Sequence, residues 1–196
     1  MTFYLKFAFV VICFLIALVT YKFCVSRRDW LWLVTGLGFT VGADYFLVLE
    51  NNHLYGVAVF CFAHVCYINR AREKASWILF AVTAVLVTVA LFFASVIALA
   101  LVYAVLFCAN IFVNFRFFKD EKTRLPKRNR TLILAGLILF ALCDINVLLF
   151  NLPNYINAPQ WFAMFFMLIW VFYLPSQAIL AVTAYDFRAP QDRLST

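Results

Sequence analysis

Apolar residues run along this chain in stretches too long for a soluble core, broken by short polar clusters. The first stretch covers 3–23 and the second 30–49. A polar turn of Glu50, Asn51, Asn52 and His53 leads into the third, 54–69. Residues 75–118 form one apolar run about twice as long as a single bilayer crossing needs, so the run divides, near Phe93, Ala94 and Ser95. The sixth stretch is 131–150. The seventh opens with Pro159, a residue suited to a first helical turn, and runs to about 185. Apolar runs of this length predict helices, and the short alternating segments of a membrane β-barrel do not occur. The pattern predicts an all-α polytopic membrane protein: a seven-transmembrane-helix bundle over residues 1–186, with a short polar tail at 187–196. The first stretch lacks a small-x-small cleavage site and is read as a retained helix.

Composition agrees with this reading. Of 196 residues, 67% are hydrophobic and only 13% are charged, and the mean hydropathy is +0.96, whereas a soluble domain carries far more surface charge. A net charge of +7 could point to nucleic acid, but the basic residues lie between apolar runs and form no aromatic-interleaved patch. They act instead as topology signals. Of the 16 Lys and Arg, Lys6 alone falls on the side shared by the Glu50, Phe93 and Asn151 turns; the other 15 follow the first, third, fifth and seventh spans. By the positive-inside rule the amino terminus is expected outside and the carboxyl terminus inside, in a plasma membrane of bacterial type. The cysteines at 13, 24, 61, 66, 108 and 143 all fall in predicted helices without a CxxC pair, and read as small buried hydrophobes.

Two residues break the apolar pattern. Asp44 and Asp144 each sit inside a spanning segment, where an ionised carboxylate costs roughly 3 kcal/mol on insertion scales. A carboxyl survives there if it is paired, protonated or facing water, which makes each a functional candidate. Both are about 10 Å from the outer end of their helix at 1.5 Å per residue. Gly36, Asp44 and Asn51 also repeat the spacing of Gly136, Asp144 and Asn151, as a parallel duplication would. In the third span His64 and Tyr67 are neighbours on one face. In the seventh, Trp170, Tyr173 and Gln177 line another, beside a backbone that Pro175 deprives of one donor.

These residues lie in motifs that resemble the lysoplasmalogenase (YhhN-like) family of multipass membrane proteins. The resemblance rests on Gly42, Asp44, Tyr45, Phe46 and Leu47, followed by Gly56, Phe60, His64 and Tyr67. It continues through Gly136, Leu139, Phe140, Cys143 and Asp144, and ends in Tyr173, Leu174, Pro175, Ser176 and Gln177. The chain departs from the common pattern at Ala43, where Gly is usual, and at Cys143, where Ser is usual. Many members also begin with an extra helix. The resemblance implies hydrolysis of the vinyl ether bond of lysoplasmalogens to a fatty aldehyde and a glycerophospho-headgroup, without a cofactor. Asp44 and Asp144 would be the catalytic pair. His64, Tyr67, Tyr173 and Gln177 would bind the lysophospholipid substrate. The chemistry is coherent: a vinyl ether breaks by protonation at carbon, giving an oxocarbenium ion that water attacks, as in glycosidases. One carboxylic acid and one carboxylate serve those steps.

Other readings compete. The aspartates could form a structural hydrogen-bonded pair that holds helices together. A proton-coupled transporter or a non-enzymatic lipid-binding protein would also place ionisable groups in the membrane, although Gly at only 5 positions is sparse for a transporter's broken helices. A three-histidine zinc site is unavailable with two histidines, one of them in a turn. Ser95 and Ser176 lack a nucleophile-elbow context. His53, Asn51 and Asn151 read as solvated turn residues.

Overall fold

A computed structural model of the chain describes residues 3–72, 74–151 and 161–187. Among them are seven helices: α1 (Phe3–Val19), α2 (Arg27–Asp44), α3 (His53–Ala71), α4 (Trp77–Phe92), α5 (Val96–Lys119), α6 (Lys127–Asn151) and α7 (Phe162–Val182). The expected turn with Pro159 and most of the polar tail lie outside the described residues. The long apolar run divides where expected, between Phe92 and Val96, and Ala94 takes a left-handed conformation there with φ of 46°. Ser95 caps the new helix by accepting from Ala98 N at 3.2 Å, as Asn52 and Ser76 cap α3 and α4. Helices α2 and α6 start earlier than the apolar stretches, at Arg27 and Lys127, because a helix continues past the hydrocarbon into polar surroundings.

Six of the helical segments are long and apolar enough to cross a membrane; α4, with 16 residues, is apolar but shorter. Large apolar side chains cover the outside of the bundle, among them Ile12, Leu31, Val85, Leu101, Val105, Ile145 and Met167. Such a surface fits a bilayer and would be untenable in water.

Neighbouring helices close a ring, α1–α2–α3–α5–α6–α7 and back to α1, while α4 packs outside it on α3 and α5. Helix α3 is the most enclosed, with 67% of its spanning window buried. Two glycines permit its close approach to α2. A Cβ on Gly36 would come within 2.9 Å of the Tyr67 ring, and one on Gly56 would collide with Leu47. Leu47 belongs to a π-turn, Tyr45–Leu49, that continues α2 beyond Asp44. The main core gathers Val10, Cys13, Leu33, Leu37, Phe60, Phe140 and Leu180 from the ring helices.

Polar bonds fasten the end of the bundle that holds the basic loops. Arg70 grips both oxygens of Asp29 at 2.8 and 2.9 Å and donates to Thr183 Oγ1 at 2.7 Å, joining α3, α2 and the end of α7. Asn129 Nδ2 donates to the carbonyls of Thr183 and Tyr185 at 2.9 and 2.8 Å. Arg130 Nη1 donates to the carbonyls of Phe117, Phe118 and Asp120, satisfying the end of α5. Asp29 and Arg70 are 0% and 1% exposed.

Losing one partner of a buried ion pair strands the other charge, so Arg70→Leu is expected to destabilise the bundle by about 3–5 kcal/mol. The double variant Asp29→Leu/Arg70→Leu is expected to recover part of that loss. Unfolding of the detergent-solubilised protein measures both, and an Arg70→Leu variant as stable as the wild type would refute the assignment.

Candidate functional site

The opposite end of the bundle carries the two intramembrane aspartates. Asp44 closes α2, where the helix widens into the π-turn; such insertions are frequent at functional sites because they re-aim the adjoining side chains. Tyr45 Oη donates to Glu50 Oε1 at 2.9 Å and fixes the turn from outside. Asp144 lies on α6, seven residues before its end at Asn151.

Each carboxyl is held by a tyrosine from another helix. Tyr173 Oη on α7 donates to Asp44 Oδ2 at 2.5 Å, and Tyr103 Oη on α5 donates to Asp144 Oδ2 at 2.6 Å. Bonds between a hydroxyl and an ionisable oxygen at this distance are strong and orient the acceptor. The pairs differ in enclosure: Asp44 and Tyr173 are buried, whereas Asp144 and Tyr103 are partly exposed.

An aromatic wall joins the two pairs. The Phe140 ring meets Tyr173 at 5.7 Å and Phe60 at 5.8 Å, and Phe60 meets Tyr103 at 6.3 Å between ring centres. The Cys143 thiol, one residue before Asp144, lies within electrostatic range of both carboxyls. The two aspartates therefore share one neighbourhood, each with its own tyrosine donor.

The remaining expected residues lie one layer deeper. His64, fully buried, packs its ring against Tyr103 at 4.9 Å and Phe107 at 5.0 Å. Asn110 Nδ2 lies 3.1 Å from His64 Nδ1, and the Asn110 side-chain oxygen Oδ1 accepts from Asn114 Nδ2 at 2.7 Å. With the amide so assigned, Asn110 donates to Nδ1, and the neutral ring carries its proton on Nε2. Tyr67 sits beside Thr40, whose hydroxyl is turned to the Gly36 carbonyl at 3.1 Å, and within electrostatic range of Asp44. Gln177, one turn beyond Tyr173, donates from Nε2 to Ser176 Oγ at 3.3 Å.

The six expected side chains thus fall into two adjoining groups, with Asp44, Tyr67, Tyr173 and Gln177 around α2 and α7 and Asp144 and His64 toward α5. Among the described residues His64 Nε2, Tyr67 Oη, Gln177 Oε1 and Trp170 Nε1 are buried without a hydrogen-bond partner. Asn69 Nδ2, Asn129 Oδ1 and Arg130 Nε, at the basic end, are likewise without a partner among the described residues. No group of three or more metal-ligating side chains occurs among the described residues. His53, Asn51 and Asn151 are exposed at helix ends.

Sequence reasoning passed over Tyr103, Asn110 and Asn114. Asn110 and Asn114 left a signal, two amides four residues apart in an apolar helix, which places them on one face. Tyr103 left none.

An open apolar groove lined by Ile12, Leu15, Ile16, Val19, Phe23 and Tyr185 runs along the other end of α1, away from the carboxyls.

Comparison with known proteins agrees with the motifs. No curated protein and no solved structure matches the chain significantly. The model of the YhhN family matches residues 1–184, nearly the whole chain, with both tyrosine-held aspartates inside the matched region. The resemblance carried by the aspartate, histidine and tyrosine motifs is thereby confirmed, and the chain belongs to the YhhN family.

Proposed function

We propose that this protein is a membrane-embedded hydrolase that cleaves the vinyl ether bond of lysoplasmalogens, releasing a fatty aldehyde and a glycerophospho-headgroup. The family includes lysoplasmalogenases. The observation that carries the reading is the pair of carboxyls at one end of the bundle, each oriented by a tyrosine hydroxyl from another helix.

The reaction needs a proton delivered to carbon. A carboxylic acid gives its proton to the vinyl carbon remote from oxygen, and the π electrons form the new C–H bond. The adjacent carbon becomes an oxocarbenium ion, stabilised by the second group as a carboxylate. That carboxylate draws a proton from water as the water adds, and the hemiacetal so formed collapses to aldehyde and alcohol. Water is the only reactant besides the lipid: the hemiacetal hydroxyl proton ends on the departing alcohol oxygen, and the proton taken up by the second carboxyl returns to the first, directly or through water.

Enclosure favours a division of labour. Asp44, buried and aligned by Tyr173, suits the proton donor. Asp144 is the less enclosed of the two, and it suits the group that activates water. His64, Tyr67 and Gln177 have buried polar atoms available to the substrate or to that water, which supports a binding role. The uneven distribution of Lys and Arg supports an amino terminus outside and a carboxyl terminus inside.

Asp44→Asn and Asp144→Asn are each expected to reduce aldehyde release from a lysoplasmalogen by 10²- to 10⁴-fold, the usual loss on removing a positioned acid or base. Chelators are expected to have no effect, and the rate is expected to fall on both sides of an optimum pH. Coupled aldehyde detection with purified protein measures all three. Wild-type rates in both variants, or no turnover of any vinyl ether lipid, would overturn the reading in favour of a lipid-binding or transport protein.

Tyr173→Phe and Tyr103→Phe keep the rings and remove one hydroxyl each. About tenfold loss of kcat is expected for each, since the carboxyl loses its orienting donor. Unchanged kcat in both would show that the tyrosines only pack the helices. A reporter fused after Thr196 is expected on the cytoplasmic face, and extracytoplasmic signal would reverse the topology.

A further inference from the structure

The state of the His64 ring follows atom by atom from two amides on α5. A backbone carbonyl starts the chain, because it can only accept. Asn114 Nδ2 donates to the Asn110 carbonyl at 3.0 Å, which fixes the Asn114 amide. The same nitrogen donates to Asn110 Oδ1 at 2.7 Å, so Asn110 turns its Nδ2 to His64 Nδ1 at 3.1 Å. Nδ1 therefore accepts, and the ring proton lies on Nε2. A second proton on Nδ1 would face the Asn110 amide hydrogens, so the ring is held neutral. Asn110, Asn114 and His64 are all buried.

A histidine held in this way is a donor and not a base. The lone pair that a general base needs is the one Asn110 occupies. What remains is the Nε2–H, on the opposite edge of the ring, buried and without a partner among the described residues. Asn69, Asn129 and Arg130 also carry such atoms, but they lie near helix ends, close to the polar loops. His64 lies near the middle of α3, against the aromatic wall of the site. Its ring meets Tyr103 at 4.9 Å and Phe140 at 5.7 Å. Tyr103 holds Asp144, and Phe140 meets Tyr173, which holds Asp44. A neutral N–H in an apolar wall suits a neutral oxygen. We infer that Asn110 and Asn114 are positioning residues that lock His64 as an Nε2–H donor, and that this N–H binds a glycerol oxygen of the lipid held at the Asp44–Asp144 site. The inference rests on the lipid substrate proposed above and excludes His64 from proton transfer.

The chain has two histidines, so His53→Gln leaves His64 alone for nitrogen NMR of the histidine-labelled full chain in detergent micelles. At neutral pH a protonated Nε2 and a bare, hydrogen-bonded Nδ1 are expected. The Nε2 signal is expected to move when a saturated 1-O-alkyl lysophospholipid, which binds without being cleaved, is added; tryptophan fluorescence reports its binding. A proton on Nδ1, a doubly protonated ring, or an Nε2 signal indifferent to bound lipid would overturn the inference. Asn110→Leu is expected to move the Nδ1 signal to that of an unbonded nitrogen and to weaken lipid binding about 5- to 10-fold, the value of one neutral hydrogen bond. Asn114→Leu is expected to shift the same signal in the same direction, and serves also if Asn110→Leu fails to fold.

Turnover of lysoplasmalogen separates a donor from a base. His64→Phe and Asn110→Leu are expected to raise KM about 5- to 10-fold and to change kcat less than KM. His64→Gln, whose amide N–H can stand where the Nε2–H stood, is expected to recover most of the KM lost in His64→Phe. A kcat loss of about 10²-fold or more in His64→Gln would assign proton transfer to His64 and overturn the inference. Unchanged KM and lipid affinity in folded His64→Phe and Asn110→Leu would reduce the three side chains to packing and overturn it too. A lipid-dependent Nε2 signal without aldehyde release would leave the donor standing and remove the hydrolase. Aldehyde release with an Nε2 signal that ignores the bound lipid would leave the hydrolase and remove the donor.

Discussion

A carboxyl group surrounded by hydrocarbon has to receive its hydrogen-bond donor from another part of the same chain, since lipid supplies none. That requirement explains why Asp44 and Asp144 are met by Tyr173 and Tyr103 on other helices. It also explains the ring of helices. Asp44 at the end of α2 reaches Tyr173 only if α7 returns beside α1 and α2, and the ring closes in that way. Asp144 reaches Tyr103 only if α5 lies beside α6. Burial of the polar groups and closure of the bundle are thus one condition seen from two sides.

The two ends of the molecule solve the same problem differently. At the basic end Asp29 is neutralised by a guanidinium that fits both its oxygens, and a third helix is tied in through Thr183. Both oxygens of Asp29 are engaged there, and Asn69 Nδ2, Asn129 Oδ1 and Arg130 Nε nearby have no partner among the described residues. At the other end each aspartate receives one neutral hydroxyl, and polar atoms of His64, Tyr67 and Gln177 remain unpaired nearby. The paired charges serve cohesion, whereas each aspartate, with one neutral donor, keeps further acceptor capacity.

The helices were legible because a bilayer imposes length and apolarity on each segment and the loops collect the charges. The break at Ala94 was legible from length alone, and Asp44 and Asp144 stood out because carboxyls are costly at depth. Tyr103 was not legible. It is one aromatic among many in an apolar helix, and the bond to Asp144 spans 41 residues, a pairing that no local spacing encodes. Arg70 counts in the sequence as one of the topology-setting cations, and a cation placed to satisfy the positive-inside rule looks the same there as one placed to pair with Asp29. The π-turn after Asp44 packs its Leu47 against Gly56 of α3, a tertiary contact without a periodic signature.

The closure of the ring through α7 has a consequence for biosynthesis. Arg70 follows Asp29 by 41 residues, so both partners of their pair are present once α3 has entered the membrane. Asp44 must wait for Tyr173, 129 residues later. At a synthesis rate of roughly 5–20 residues per second that interval is on the order of ten seconds. During it the carboxyl sits near the end of its helix, where it stays within reach of water. The nascent chain therefore leaves open to water, for a time, a carboxyl that the finished bundle shuts away.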